Sequence, residues 1–155
     1  MTIIKLAVMV TLGAAAVIAR DPERRLVISV PDRKLELLEN GQVVKTYDIA
    51  VGADATPSPV GTFHIAERIP HPTWYGPKKI VPPGKDNPLG TRWMGLGYRG
   101  YGIHGTNNPA SIGKAASHGC FRMRNSDAED LFSRVQAGDV VEILRESPTA
   151  VGGGE

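Results

Sequence analysis

The chain has 155 residues, is 41% hydrophobic, and carries a net charge of +2 from 18 basic and 16 acidic side chains. So small an imbalance, with no run of Lys or Arg, gives no electrostatic grip on a nucleic-acid backbone and excludes that class of partner. The 18 glycines and 12 prolines, set against 6% aromatics, suit a turn-rich β domain better than a helix bundle.

The first segment bears on compartment. Lys5 precedes an apolar run from Leu6 to Ala19, broken by Thr11 and Gly13, and Arg20-Asp21-Pro22 closes it. A charged start, a hydrophobic stretch of this length and small residues before a polar segment describe an export signal, with cleavage expected after Ala19. A spanning helix needs about 20 apolar residues, so a removed signal over 1–19 is expected ahead of an uncleaved anchor. The protein is then expected in the periplasm or cell envelope. No cysteine lies near the N-terminus, which argues against lipid attachment there. Beyond the signal, roughly 135 residues remain, enough for one modest core.

Along the chain, Leu26 to Val30 reads as a first strand. Lys34 to Leu38 and Val43 to Val51 read as two more, joined at Asn40-Gly41, a pair that accepts the positive φ angles of a tight hairpin turn. Thr56-Pro57-Ser58-Pro59-Val60-Gly61 predicts a rigid turn, with one strand running on from Gly61 to Ile69. From Pro70 to Gly100 the pattern dissolves into prolines, glycines and scattered aromatics, which predicts a long irregular lid or binding loop. Trp74, Tyr75 and Trp93 are placed either to line a cleft there or to pin the loop to the core.

Tyr101 to Gly105 and Cys120 to Met123 read as short strands, with one helical turn between them at Asn108 to Gly113, where Pro109 suits the first helical position. Ser126 to Val135 predicts the one substantial helix. Ser126 and Glu129 have capping-box spacing, and Ala128, Leu131, Phe132 and Val135 form its apolar stripe. Asp139 to Leu144 is the last strand, and 146–155 is expected to be a frayed tail. The fold class is mainly β, with a single domain over 25–145.

The chemistry concentrates at Ser117-His118-Gly119-Cys120, with His104 sixteen residues before the cysteine. Cys120 is the only cysteine of the chain, and His104 and His118 are two of its four histidines. Exported proteins use cysteines in pairs, so a single thiol is easier to explain as a working group than as a structural one. Imidazole is the usual group that helps a thiol become a nucleophilic thiolate. A histidine partner is expected to raise the reactive fraction of the thiol. If residues 118–122 are extended, His118, Cys120 and Arg122 share a face, and Gly119 clears space for a substrate backbone. Spacing alone does not choose between His104 and His118 as the base. Zinc ligation by His104, His118 and Cys120 is disfavoured, because no fourth ligand and no Cys-x-x-Cys accompany them. His64 and His71 show no pattern of their own. No cofactor and no metal are expected.

Taken together, Tyr101-Gly102-Ile103-His104-Gly105-Thr106, Ile112-Gly113 and Ser117-His118-Gly119-Cys120-Phe121-Arg122-Met123 resemble the L,D-transpeptidase catalytic domain family of YkuD type. Asn40-Gly41, Val51-Gly52, Thr56 to Phe63, Asn87-Pro88-Leu89-Gly90, Asn125 with Asp127, and Gly138 with Val140 to Ile143 fall in the same order. The resemblance implies a compact β-sandwich or barrel-like fold with a cleft beneath the irregular loop. It implies an enzyme of bacterial peptidoglycan that attacks the L-to-D bond before the terminal D-Ala of a tetrapeptide stem. A thioester acyl-enzyme would pass its acyl group to an amine on a second stem, or to an outer-membrane lipoprotein.

Carried over by motif, Cys120 is the nucleophile and His104 its base, oriented by the carbonyl of Gly105. Amides near Gly119 and Cys120 would hold the oxyanion, with His118 shaping the site. Candidate substrate-binding residues are Arg122, Ser117, Gly105, Thr106 and Trp93. A guanidinium at 122 would suit the carboxylates of the stem, the alternative being an ion pair with Asp127 or Glu129. Ser117 would contact substrate or fix the turn. The competing functions are an L,D-carboxypeptidase, with water as acceptor, and a wall-binding protein without catalysis. The protein is expected to be a monomer.

Overall fold

A computed structural model describes residues 13–16 and 20–148. The expected signal lies outside the described residues except for 13–16, and so does 149–155 of the expected tail. Within the expected tail, Ser147 Oγ donates to Asp32 Oδ2 at 2.5 Å. Among the described residues no helix is long and apolar enough to cross a membrane.

The first three strands form an antiparallel meander. Strand β1 (Arg24–Ser29) pairs with β2 (Lys34–Glu39), and β2 with β3 (Gln42–Gly52). The β2–β3 turn is the one expected, with Asn40 at φ 50° and Gly41 at φ 81°. Strand β4 (Gly61–His64) comes after the proline-rich turn and pairs with the last strand, β12 (Val140–Leu144), which runs parallel to β1. The segment expected to be one strand from Gly61 to Ile69 is in fact two, β4 and β5 (Glu67–Pro70), which sit at opposite ends of the sheet. The strand order is β4-β12-β1-β2-β3-β11 (Phe121–Met123)-β9 (Gly102–His104)-β8 (Arg92–Gly95)-β5.

Ile65 and Ala66 make the crossing. Ile65 exchanges backbone hydrogen bonds with Asp139 and Gly138, beside β12, and the next amide, Ala66 N–H, donates to Gly95 at 2.8 Å, at the end of β8. One residue step thus moves the chain from one sheet edge to the other, and the sheet must curl to allow it. A period-2 pattern cannot report that switch, because both halves alternate normally.

The stretch expected to be irregular holds a short hairpin, β6 (Trp74–Tyr75) with β7 (Ile80–Val81), and an integral strand, β8 (Arg92–Gly95). β8 pairs with β5 and with β9 (Gly102–His104). Beyond β9, a 3-10 turn at Pro109–Ser111 leads to β10 (Ala115–Ser117), parallel to β3, and then to β11 (Phe121–Met123). β11 lies between β3, antiparallel, and β9, parallel.

Helix α1 spans Asn125–Arg134, and Ala128 and Leu131 are its fully buried residues. The expected capping box is absent. The N-cap is Arg124, with no side-chain cap bond, and Ser126 lies inside the first turn. The helix continues directly from β11, so the strand sets its start. Asp127 in the first turn favours the helix dipole and pairs with Arg124 at 3.7 Å.

Alternation divides the residues of the central strands. Ile49, Met94, Ile103, Phe121 and Met123 are fully buried in the core. Their alternates, Ile69, Trp93, His104, Arg122 and Ala50, stand in register across β5, β8, β9, β11 and β3. Directly paired residues share a face, so these five form one row on the side opposite the core. Truncating Ile65, 1% exposed at the crossing, tests the closure. Ile65→Ala is expected to cost about 2–5 kcal/mol, read as a lower urea midpoint with an unchanged slope.

Candidate active site

Trp93 and His104 are neighbours in the row, and their rings stack 5.7 Å apart at 25°. Trp93 Nε1–H donates to Glu67 Oε1 at 2.8 Å, which fixes the far edge of the indole. The indole lies over Gly102, where an added Cβ would fall 2.5 Å from the ring. A glycine is needed at 102 for this close approach.

His104 is 5% exposed. Its Nδ1 lies 2.5 Å from the carbonyl oxygen of Gly105. Nδ1 therefore carries the proton and donates it to that oxygen, leaving Nε2 with a free lone pair. Burial, and secondarily the charge of Arg122, hold the imidazole down at about 4, against the raising effect of the Gly105 carbonyl.

Cys120 is half-buried, with Sγ 3.7 Å from the Gly100 carbonyl. Burial pushes its thiol up, outweighing the Gly102 amide and Arg122, which both lower it. At neutral pH thiol and imidazole are both uncharged. The sequence suggests a histidine that enlarges the resting thiolate fraction. Desolvation disfavours both ions of the pair and works the other way.

The segment bearing the thiol is pinned on every side. Ser117 O accepts from Ala53 N–H and from Thr56 Oγ1, each at 2.9 Å. Ser58 Oγ donates to Gly119 O at 2.8 Å and accepts from Gly52 N–H at 2.9 Å. Ser117 Oγ donates to Cys120 O at 2.5 Å and accepts from Gly119 N–H at 3.1 Å. Ser117 is thus buried and committed to the turn, not to the cleft's contents. The Gly119 amide is also taken, which removes it from the pair of expected oxyanion donors and leaves that of Cys120.

Residues 118–120 are not extended, since Gly119 has φ 119° and β11 begins at Phe121. The glycine is required by that angle and by the Tyr101 ring, 2.5 Å from where its Cβ would be, rather than by space for a substrate. His118, Cys120 and Arg122 nevertheless line one cavity of about 360 Å³, with His104, Ser117, Trp74, Pro88 and Leu89. Arg122 forms no ion pair among the described residues; it is Arg124 that meets Asp127. A second cavity, also about 360 Å³, meets the first at Cys120, Trp74 and Leu89 and includes Glu67 and Trp93.

Thr106 is not brought to this cleft. It is buried, its Oγ1 accepts from Asn108 N–H at 3.0 Å, and it lines a separate cavity with His71, Lys85 and Asn125. Gly105 acts through its carbonyl on His104. Sequence reasoning missed Asn125 as a positioning residue. Its Oδ1 accepts from Thr106 N–H at 3.0 Å and Thr91 N–H at 3.3 Å, tying the helix start to the chain on either side of β8 and β9. It also missed Ser58 and Glu67. Their polarity in a Pro-rich turn and on an exposed edge carried no distinguishing signal.

The arrangement is a thiol and a neutral imidazole lining one cleft in a curled β-sheet, a setting suited to nucleophilic chemistry at sulfur. The family model for the YkuD L,D-transpeptidase catalytic domain matches residues 23–143. YkuD of Bacillus licheniformis, assigned to the L,D-transpeptidases, is 44% identical over 119 residues, covering 77% of this chain and 64% of that protein. YkuD of Bacillus subtilis, assigned likewise, is 43% identical over 120 residues, covering 77% of this chain and 65% of that protein. Among solved structures, an L,D-transpeptidase from Mycobacterium tuberculosis H37Rv superposes with a TM-score of 0.68 at 18% identity, covering 80% of this chain and 58% of that one. The chain belongs to the L,D-transpeptidase catalytic domain family. It spans just under two thirds of the two Bacillus relatives.

The pair's protonation has a thermodynamic consequence. His104 is held below its unfolded value near 6.5, so the unfolded chain binds the extra proton first as pH falls. Its stabilising contribution is complete above about 6.5 and is lost as pH falls towards 4. For Cys120 the sign reverses, because a raised thiol loses stability once pH rises through its unfolded value. The expected result is a stability plateau between these limits, measured by urea unfolding at a series of pH values. His104→Gln should flatten the acid limb relative to wild type.

Proposed function

We propose that this domain is a cysteine-dependent L,D-transpeptidase of the bacterial cell wall, exported by its N-terminal segment. The observation that carries the reading is one cavity wall bearing Cys120 beside His104, whose Nδ1 is fixed on Gly105 and whose Nε2 is free. The donor substrate is a tetrapeptide stem, cut at the L-to-D bond before its terminal D-Ala. As Sγ attacks that carbonyl, Nε2 of His104 takes the thiol proton. Charge thus appears only in the transition state, where the Cys120 amide faces the developing oxyanion. Collapse breaks the C–N bond, and the imidazolium returns the proton to the departing D-Ala amine. The acyl group then passes from sulfur to an amine on a second stem or on an outer-membrane lipoprotein, the C–S bond breaking as the new amide forms and the amine's proton returning to the thiol.

Arg122, which forms no ion pair among the described residues, supports a carboxylate-bearing donor in the cavity it lines. A charge-assisted contact of this kind is worth about 1.5–3 kcal/mol. Arg122→Ala is therefore expected to raise the donor KM by roughly 10- to 100-fold, with a smaller change in kcat. Steady-state kinetics with a purified disaccharide-tetrapeptide checks this.

Intact mass after incubation with the same substrate tests the assignment of the thiol and base. Wild type is expected to carry an acyl adduct, release D-Ala and yield cross-linked dimers, and Cys120→Ala to do none of these. His104→Ala should acylate slower by about 10²-fold or more, and His118→Ala should retain measurable acylation. Equal acylation by His104→Ala and wild type would refute the assignment of the base.

A further inference from the structure

Between β5 and β8 the chain carries a hairpin that the main sheet does not hold. β6 and β7 are two residues each and form a sheet of their own. A hairpin so short is marginal in water by itself, and its paired residues Tyr75 and Ile80 are 76% and 65% exposed. Yet it delivers Trp74, which lines both cavities at Cys120. The Trp74 indole is folded over Gly76, where an added Cβ would fall 2.4 Å from the ring. A group outside the hairpin must fix it.

That group is the side chain of Asn87, which is 0% exposed. Its Nδ2 donates to the Pro72 carbonyl at 2.8 Å, ahead of β6, and to those of Val81 at 3.2 Å and Pro82 at 3.3 Å, where β7 ends. Its Oδ1 accepts from Leu89 N–H at 2.8 Å. Three carbonyls at one terminal atom and an amide at the other fix the orientation of the side-chain amide. One buried side chain thus ties both ends of the hairpin to the turn bearing Pro88 and Leu89, which also line the cleft. The Asn87 carbonyl accepts from Gly90 N–H at 3.1 Å, and the next amide, Thr91 N–H, donates to Asn125.

We infer that Asn87 is a positioning residue for substrate binding: by clamping the hairpin to the 87–91 turn it holds Trp74 and Leu89 together as a preformed wall of the cleft. The inference takes its substrate from the proposed acyl-transfer reaction and its geometry from these hydrogen bonds alone. Asn87 itself lines neither cavity at the thiol, so its loss leaves the reacting groups in place. A wall assembled only part of the time lowers apparent affinity by the competent fraction, and bound substrate then holds it together. KM therefore rises and kcat does not. Loss of folded enzyme gives the opposite pattern, a lower kcat at the same KM.

Asn87→Asp keeps the acceptor for Leu89 N–H and loses both donors, so it removes the clamp alone, while Asn87→Ala removes both contacts. Steady-state kinetics use disaccharide-tetrapeptide, with active sites counted by alkylation of Cys120 with iodoacetamide. Both variants are expected to show KM raised roughly tenfold or more, with kcat per active site within about twofold of wild type. Hydrogen exchange supplies a reading independent of substrate. Amides of residues 73–82 should exchange faster in both variants, while those of β9 and β11 keep their protection.

Hairpin protection equal to wild type would overturn the inference, and so would a loosened hairpin with unchanged KM. A fall in kcat or in the count of active sites at unaltered KM would overturn it too, since Asn87 would then serve folding alone. Wild type that alkylates at Cys120 but forms no acyl adduct with the tetrapeptide is a different result. It would sink the acyl-transfer reading, and the exchange measurement would still decide whether Asn87 clamps the hairpin.

Discussion

One indole laid flat against a glycine decides where the imidazole stands. Trp93 lies over Gly102, is tethered at its nitrogen by Glu67 and stacks on His104. The ring therefore closes off one face of the imidazole while the Gly105 carbonyl fixes its nitrogen. Both constraints come from β8 and β9, whose pairing puts Trp93 opposite His104. The other half of the site is held separately, by Thr56, Ser58 and Ser117 gripping the carbonyls of residues 117, 119 and 120. Asn125 binds Thr91 and Thr106 at the ends of the first unit. Two rigid units, each internally hydrogen-bonded, are thus brought together by the parallel pairing of β9 with β11.

Burial shapes the chemistry of what they hold. Taking a thiol and an imidazole out of water penalises the thiolate and the imidazolium alike, so the resting pair is neutral. A permanent ion pair would give a stronger resting nucleophile. It would also leave a reactive thiolate exposed to oxidants between turnovers. In the proposed reaction, proton transfer from the neutral pair accompanies attack, and reactivity depends on a carbonyl being correctly placed. Arg122 works with burial at the imidazole and against it at the thiol, since its positive charge lowers both groups.

The legible parts of the sequence are those with local causes. Asn40-Gly41 marks its hairpin because two successive positive φ angles are a local demand. The His104, Cys120 and Arg122 constellation is visible as rare residue types in a glycine-rich setting, and the cleft does collect them. The features that escape a sequence reading depend on distant partners. Arg92-Trp93-Met94-Gly95 reads as loop because proline and glycine surround it, yet its strand character comes from β5 and β9 on either side. Ser126 and Glu129 have the spacing of a cap, but β11 delivers the chain directly into the helix and no cap forms. Gly119 is necessary for a reason its neighbours do not reveal, since the Tyr101 ring that demands it is eighteen residues away. Ser117 offers a hydroxyl to substrate in sequence terms, while the fold commits it to two backbone groups.

The alternation of the central strands also separates stability from function. Met94, Ile103, Phe121 and Met123 fill the core, while Trp93, His104 and Arg122 face the cleft from neighbouring positions. A buried hydrophobic face dictates register, because a slip of one residue would turn Phe121 outward and Arg122 into the core. The core therefore fixes the azimuth of every residue in the working row without contacting substrate. The working row can in turn change residue type along its length, from Ile69 on β5 to Arg122 on β11, at little cost to packing.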